Sequence, residues 1–238
     1  AGPRTIKRQA GVTLMETMIS LALSLVVTSA MVVLMANSLG TATRVIHMSQ
    51  LTDELRNAMS MMTRDVRRAN YSANSIFCYG YSQCGFAGGN ALQAGDIQIT
   101  NGGTCFTYTL DRGWNGDATD DAVGGFRRVS VDGVGVIEMW TGAAGAAPNC
   151  GVGAGASNWI ALTDPGGVNV TGCIVDDGDS IEKEIQESPT SSFTSRQREL
   201  QISLQGQLVL EEARGNIVVE REVVDTVYVR NDYILPAI

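Results

Sequence analysis

RQAGVTLMETMISLALSLVVTSAMVVLMANSLG, residues 8–40, carries a charge at Arg8 and another at Glu16, and nothing charged follows from Thr17 to Thr43. A helix needs about 20 apolar residues to cross a bilayer, so the run is long enough. A secretory signal has a shorter apolar core ended by a small-residue cleavage site. Here the run passes without proline into a second helical pattern, which reads as a retained anchor. Arg4, Lys7 and Arg8 precede the run and orient the N-terminus to the cytoplasm, with the rest of the chain outside. Glu16 is the exception within the run. A carboxylate in the apolar layer is costly unless a cation meets it, and such residues are functional by default. The bland alternative is that Glu16 sits at head-group level.

Downstream, TRVIHMSQLTDELRNAMSMMTRDVRRANY (43–71) repeats apolar residues at Met48, Leu51, Leu55, Ala58, Met62 and Ala69, with Val45, Met59 and Val66 widening the stripe. Charged residues fill the other face, the pattern of an amphipathic helix packed on a domain. Without proline over 12–70, the helix would run about 87 Å at 1.5 Å per residue, with Gly40 its soft point. His47 has no second histidine or nucleophile beside it and reads as a surface or packing residue.

After Tyr71 the period changes to two. Candidate strands are 96–100, 105–110, 126–131, 135–140, 159–163, 199–204 and 223–231. Gly-rich loops lie between them, notably 141–157 and an acidic stretch within 176–198. The spacing predicts an α+β chain: a long N-terminal helix whose second half packs on an antiparallel sheet. Its divisions are a leader at 1–11, a membrane helix at 12–40, an amphipathic helix at 41–71 and a β-rich head at 72–238.

Composition agrees with that division. Of 238 residues, 27 are Gly and only 5 Pro, which suits a loop-rich β domain, and the net charge of −8 argues against general phosphate neutralisation. Five cysteines stand at 78, 84, 105, 150 and 173 without C-x-x-C spacing. With a single histidine, disulfides in an oxidising compartment fit better than a zinc site. Cys78 with Cys84, and Cys150 with Cys173, are the preferred pairs. Cys105 would be left as a buried thiol, and other connectivities stay open.

No cofactor is expected. Calcium is the ion whose oxygen chemistry comes nearest, through Asp111, Asn115, Asp117 and Asp120 in DRGWNGDATDD, with DDGDSIE (176–182) a second acidic loop. Gly113 and Ala122 break the EF-hand pattern, so a solvated turn is the better reading. GVGAG (151–155) lacks the Lys-Ser/Thr and helix of a phosphate loop. No Ser-His-Asp set, Cys-His pair or G-x-S-x-G elbow occurs, so no enzymatic activity is expected.

AGVTLMETMISLALSL (10–25) resembles the N-terminal signature of type IV prepilins: a basic leader, Gly11, then Val12, Thr13, Leu14, Met15 and Glu16 before an apolar run. Val12 departs from the usual Phe. The resemblance implies cleavage between Gly11 and Val12 by a prepilin peptidase, N-methylation of Val12, and pairing of Glu16 with the N-terminal amine of a neighbouring subunit during assembly. RDVRRANY (64–71), CFTYTLDRGWNGD (105–117) and VVDTVYVRND (223–232) are similar to PilW-like minor pilins. Minor pseudopilins of the J kind in type II secretion share the helix ending and the late strand.

The resemblance implies a pilin-like fold and a minor pilin that initiates or caps a type IV pilus. A minor pseudopilin, or an adhesion or DNA-binding module at a pilus tip, is the alternative. Implied partners are other minor pilins, the major pilin, the prepilin peptidase and the assembly platform. The implied location is the inner membrane, as a single-pass prepilin with its head in the periplasm, and then the cell surface. A DNA-binding role calls for an exposed basic strip at Arg127 and Arg128 or at Arg196 and Arg198.

Overall fold

The computed structural model describes residues 11–72, 96–111, 122–142, 146, 148–188, 191–212 and 215–235. It comprises two compact units, 1–47 and 48–238. One helix, α1 (Leu14–Val66), belongs to both; each unit is described by itself.

In the first unit α1 is apolar on every side, and its large side chains are exposed throughout, Leu21 at 63% and Leu34 at 69% among them. Among the described residues α1 is the one helix long and apolar enough to cross a membrane, and none of its most apolar window is buried. Most of its hydroxyls are satisfied within the helix. Ser20 donates to the Glu16 carbonyl at 2.7 Å, Thr28 to Ser24 at 2.6 Å and Ser29 to Val26 at 2.8 Å. Such back-bonding spares these hydroxyls the need for water, which suits an apolar medium.

In the second unit the helical stripe is buried. Leu51, Leu55, Met62 and Val66 have no exposed surface, and Ala58 and Met59 almost none. Each large side chain there contributes about 1.5–3 kcal/mol. Met48 is partly buried against this core, whereas Val45, expected to widen the stripe, is exposed. The helix sits close over the sheet at Gly206. A Cβ there would lie 3.1 Å from Leu55 Cδ2 and 3.2 Å from Leu51 Cδ1. A polar tie adds direction: the Tyr108 hydroxyl donates to Asp65 Oδ2 at 3.0 Å in a buried setting.

The helix stops because the chain turns at Asn70, which adopts φ 62°, a left-handed conformation that Asn tolerates better than most residues. The Asn70 N–H then donates to the Thr109 carbonyl and the Asp111 N–H to the Tyr71 carbonyl. The helix exit is thus stitched alongside a strand end.

Among the described residues eleven strands form three antiparallel sheets. The first is a meander of β1 (Gln98–Thr100), β2 (Cys105–Leu110), β3 (Ala122–Val131), β4 (Val134–Trp140) and β5 (Trp159–Ala161). β6 (Asn169–Asp176), β7 (Ile181–Ser188), β8 (Ser191–Gln197), β9 (Glu199–Glu212), β10 (Gly215–Tyr228) and β11 (Tyr233–Ile234) follow. They pair in the orders β10-β9-β6 and β11-β8-β7. The helix stripe, the inner faces of β2, β6 and β9, and Ile97, Phe126 and Ile137 form one core.

All seven expected strands exist; 105–110 keeps its bounds and the other six have altered ends. β9 runs 14 residues rather than six, because the polar QGQ at 205–207 that breaks the sequence pattern is where Gly206 admits the helix. β6 was not anticipated, since Gly172 interrupts its alternation and the register shifts between Val170 and Gly172. The stretch 176–198, read as a loop, contains the β7–β8 hairpin. Its strands are polar, and only Ile185, Phe193 and Ile234 gather into a small cluster of their own, too few for a periodic signal.

Candidate functional site

The N-terminal segment from Gly11 to Glu16 is the best-defined functional element. Gly11 is exposed, and a Cβ there would meet nothing within 4 Å, so its selection is not explained by packing. Thr13 opens the helix. Its carbonyl accepts from the N–H of Glu16 at 3.0 Å and of Thr17 at 3.2 Å, and its Oγ1 accepts from the Glu16 N–H at 3.4 Å. Thr13 with Glu16 three residues on is therefore half of a capping box. That local signal is legible in the T-x-x-E spacing of residues 13–16. Glu16 also sits favourably in the first turn, at the positive end of the helix dipole. Among the described residues no cation pairs with its carboxylate.

The cysteine expectation needs correction. Cys150 bonds to Cys105 across a Cα–Cα distance of 6.1 Å, not to Cys173. Cys173 is buried and free, on the core side of β6, and burial pushes its thiol up to about 12, with the charge of Arg128 pulling the other way. The difference is one of register. Cys105 on β2 lies opposite Arg127 on β3, which lies opposite Glu138 on β4, and the 149–155 loop folds onto that row. Cys78 and Cys84 lie outside the described residues.

That same row holds the centre that sequence reasoning missed. Arg127 is 1% exposed, yet its donors are all used. Nε and Nη2 donate to Glu138 Oε2 at 3.0 and 2.7 Å, Nη1 to the carbonyls of Asn149 and Val152 at 3.2 and 2.7 Å, and Nη2 to the Gly153 carbonyl at 2.9 Å. The other oxygen of Glu138 accepts from the Gly155 N–H at 2.8 Å. The guanidinium also lies 4.1 Å over the Trp159 ring, a cation–π contact. With the Cys105–Cys150 bond beside it, this pair fastens the 149–155 loop to the sheet. Opposite charges one strand apart were visible in the sequence, but their burial needed the register.

The basic strip that a DNA-binding role called for does not form. Arg127 is buried as described, and Arg128 donates to the Val170 carbonyl at 2.7 Å. Arg198 is 8% exposed and bonds Asp96 at 2.7 Å and Asp177 closer still. Arg196 bridges Asp96 at 3.1 Å and Glu182 at 2.5 Å, and its hydrogen bond to Glu182 raises its pKa. The acidic run 176–182 therefore spends Asp177 and Glu182 on arginines, tying the β7–β8 hairpin to the start of β1. Among the described residues no three acidic, His or Cys side chains gather to hold a metal. Of the calcium candidates, Asp111 is buried at the end of β2 and engaged by other groups. Asn115, Asp117 and Asp120 lie outside the described residues.

Elsewhere on α1, Glu54 Oε2 accepts from the Asp164 N–H at 3.2 Å. Burial raises its carboxyl above the usual range, with that hydrogen bond opposing. It clasps the 164–168 turn to the helix.

Comparison with known families agrees with this geometry. A family model described as prepilin peptidase-dependent protein B matches residues 44–229. A second, described as the prokaryotic N-terminal methylation motif, matches residues 6–32, which covers Lys7, Arg8, Gly11 and Glu16. Neither the comparison with curated proteins nor that with solved structures returns a match.

Proposed function

Because the chain belongs to the prepilin peptidase-dependent protein B family and is a type IV pilin-like protein carrying the methylation motif, we propose that it is a minor pilin, a structural subunit that helps to start or cap a pilus. The observation that carries this reading is the contrast at the N-terminus. The helix up to Thr43 is apolar apart from Glu16 and exposed all round, and its one carboxylate has no cation beside it. An apolar helix in this state needs lipid or other helices about it. A carboxylate in such surroundings needs an ammonium, since each partner offsets the desolvation cost of the other only when they meet.

Cleavage after Gly11 would supply that ammonium at Val12 of a neighbouring subunit. Glu16 then selects the axial register, and Ala22, Ser24, Ser29 and Ala30 allow close helix approach. The chain works by assembly and performs no catalytic step of its own. Before assembly it spans the inner membrane once, with its head in the periplasm. Its partners are the peptidase, the assembly platform, the major pilin and other minor pilins.

The test is the intact mass and N-terminal sequence of the membrane-extracted protein, with active and with inactive prepilin peptidase. A chain starting at N-methylated Val12 only when the peptidase is active supports the reading. A leader retained in both samples sinks it, and Glu16 then reduces to a helix-capping residue.

A further inference from the structure

Where α1 ends, the turn that follows it, the end of β2 and the segment after β10 enclose a cavity of about 360 Å³. Its floor is apolar, with Tyr71 and Leu110 in its lining, and Arg67, Arg68 and Arg230 lie around it. The two elements that supply these arginines are joined by a backbone hydrogen bond, the Arg230 N–H donating to the Arg67 carbonyl at 3.4 Å. Asn231 fixes the same junction by donating to the Ala69 carbonyl at 2.9 Å. Arg68 reaches only Asp65, at 3.5 Å. Among the described residues no carboxylate pairs with Arg67 or Arg230. Asp111, the acidic residue in the lining, is 1% exposed and already engaged by other groups.

Basic residues at a helix C-terminus are favoured by the dipole, and that accounts for Arg67 and Arg68. It does not account for Arg230, which comes from another element and brings a further positive charge to the same rim. The net charge of the chain is −8 and its buried arginines at 127 and 198 have carboxylate partners, so three arginines around one cavity, two of them without such a partner, are a local concentration of positive charge.

From this geometry we infer that the cavity is a binding site for an acidic peptide segment of a partner chain, one that presents carboxylates beside an apolar or aromatic side chain. The apolar floor requires a ligand with an apolar body, and the planar guanidiniums match carboxylates with paired hydrogen bonds. A free phosphate would leave the floor uncovered. A nucleic acid would need a basic track beyond the cavity, and Arg127, Arg128, Arg196 and Arg198 are engaged elsewhere. The inference goes beyond the pilin reading, and its test is separate from leader cleavage, so either can fail alone.

The experiment titrates a fluorescein-labelled Asp-Phe-Asp-Phe-Asp peptide into the full chain in a neutral detergent. A Lys-Phe-Lys-Phe-Lys peptide, inorganic phosphate and anionic phosphatidylglycerol vesicles serve as comparisons. Saturable binding of the acidic peptide is expected, weakened about tenfold or more by Arg67→Ala with Arg230→Ala and weakened by added salt. Arg67→Lys with Arg230→Lys should retain part of the affinity, and Arg64→Ala, outside the cavity, all of it. These side chains are exposed, so the melting temperature should not move, and the lysine pair keeps the test valid if the alanine pair does not fold. Absence of saturable peptide binding overturns the proposal. So does binding indifferent to both arginine pairs, or equal arginine-dependent binding of phosphate or vesicles.

Discussion

Leu21, Leu25, Val32 and Leu34 in the first half of α1 each expose more than 60% of their surface, whereas Leu51, Leu55, Met62 and Val66 in the second half expose none. The two halves share one backbone and a similar supply of Leu, Met and Val. What separates them is periodicity. In the second half charge returns every few residues on one face, so a single stripe can be buried against a sheet of the same chain. In the first half no polar face exists, and burial on one side would leave the other unserved. Such a helix is complete only in lipid or among other helices. The head therefore closes on itself, and the first half of α1 depends on what surrounds it.

Separable lesions follow from that contrast, and their readouts are the melting temperature of the full chain in detergent and the extent of leader cleavage. The largest effect on melting is expected from Arg127→Ala, which leaves Glu138 buried without its cation. Breaking such a pair costs about 3–5 kcal/mol, or roughly 6–20 °C in a domain of this size, while cleavage at Gly11 should be unchanged. Replacing both Arg127 and Glu138 by Met should recover much of the loss.

Next comes a matched pair within α1. Leu55→Ala should cost about 2–5 kcal/mol, and Leu25→Ala should leave head melting where it was. Equal shifts from the two would break the contrast between the halves.

Gly206→Ala should cost about 1–3 kcal/mol, since the new methyl group meets two leucines already in close contact with the sheet. If the variant melts like the parent, the helix has room to lift, and the fit at Gly206 does not limit stability.

The smallest effect under ordinary conditions concerns Cys173. Its thiol is held up near 12 in the fold, above its unfolded value, so the native state keeps a proton that the unfolded chain loses first. The associated stability is complete below the unfolded value of about 8.5 and declines as pH rises toward 12. Cys173→Ala should flatten the decline in stability between pH 9 and 11. Iodoacetamide should label Cys173 only after unfolding, and rapid labelling of the native chain at pH 8 would contradict its burial.

Much of the outline was legible in the residues. The lone Glu16, the basic leader and Gly11 marked the N-terminal element. The stripe from Leu51 to Val66 marked the packed half of the helix, and alternation located strands such as 105–110. Polar segments were illegible for a physical reason. Among the described residues IEKEIQES (181–188) and SSFTSRQ (191–197) bury one large apolar side chain, Phe193, so no apolar period announces their pairing. They are held by cross-strand partners and by Arg196 and Arg198 reaching Asp96. Cysteine pairing failed likewise. The choice between Cys105 and Cys173 as partner of Cys150 depends on which strand faces the 149–155 loop, a fact of register rather than spacing.

Local chemistry was thus enough for the processing motif, the membrane-length helix and the class of fold. These depend on periodicity and charge within one stretch of chain. Tertiary structure alone decided which arginines are buried, which cysteines meet, and that Arg67, Arg68 and Arg230 share one cavity. Each of those outcomes requires residues far apart in sequence to arrive at one point, and no single segment contains that information.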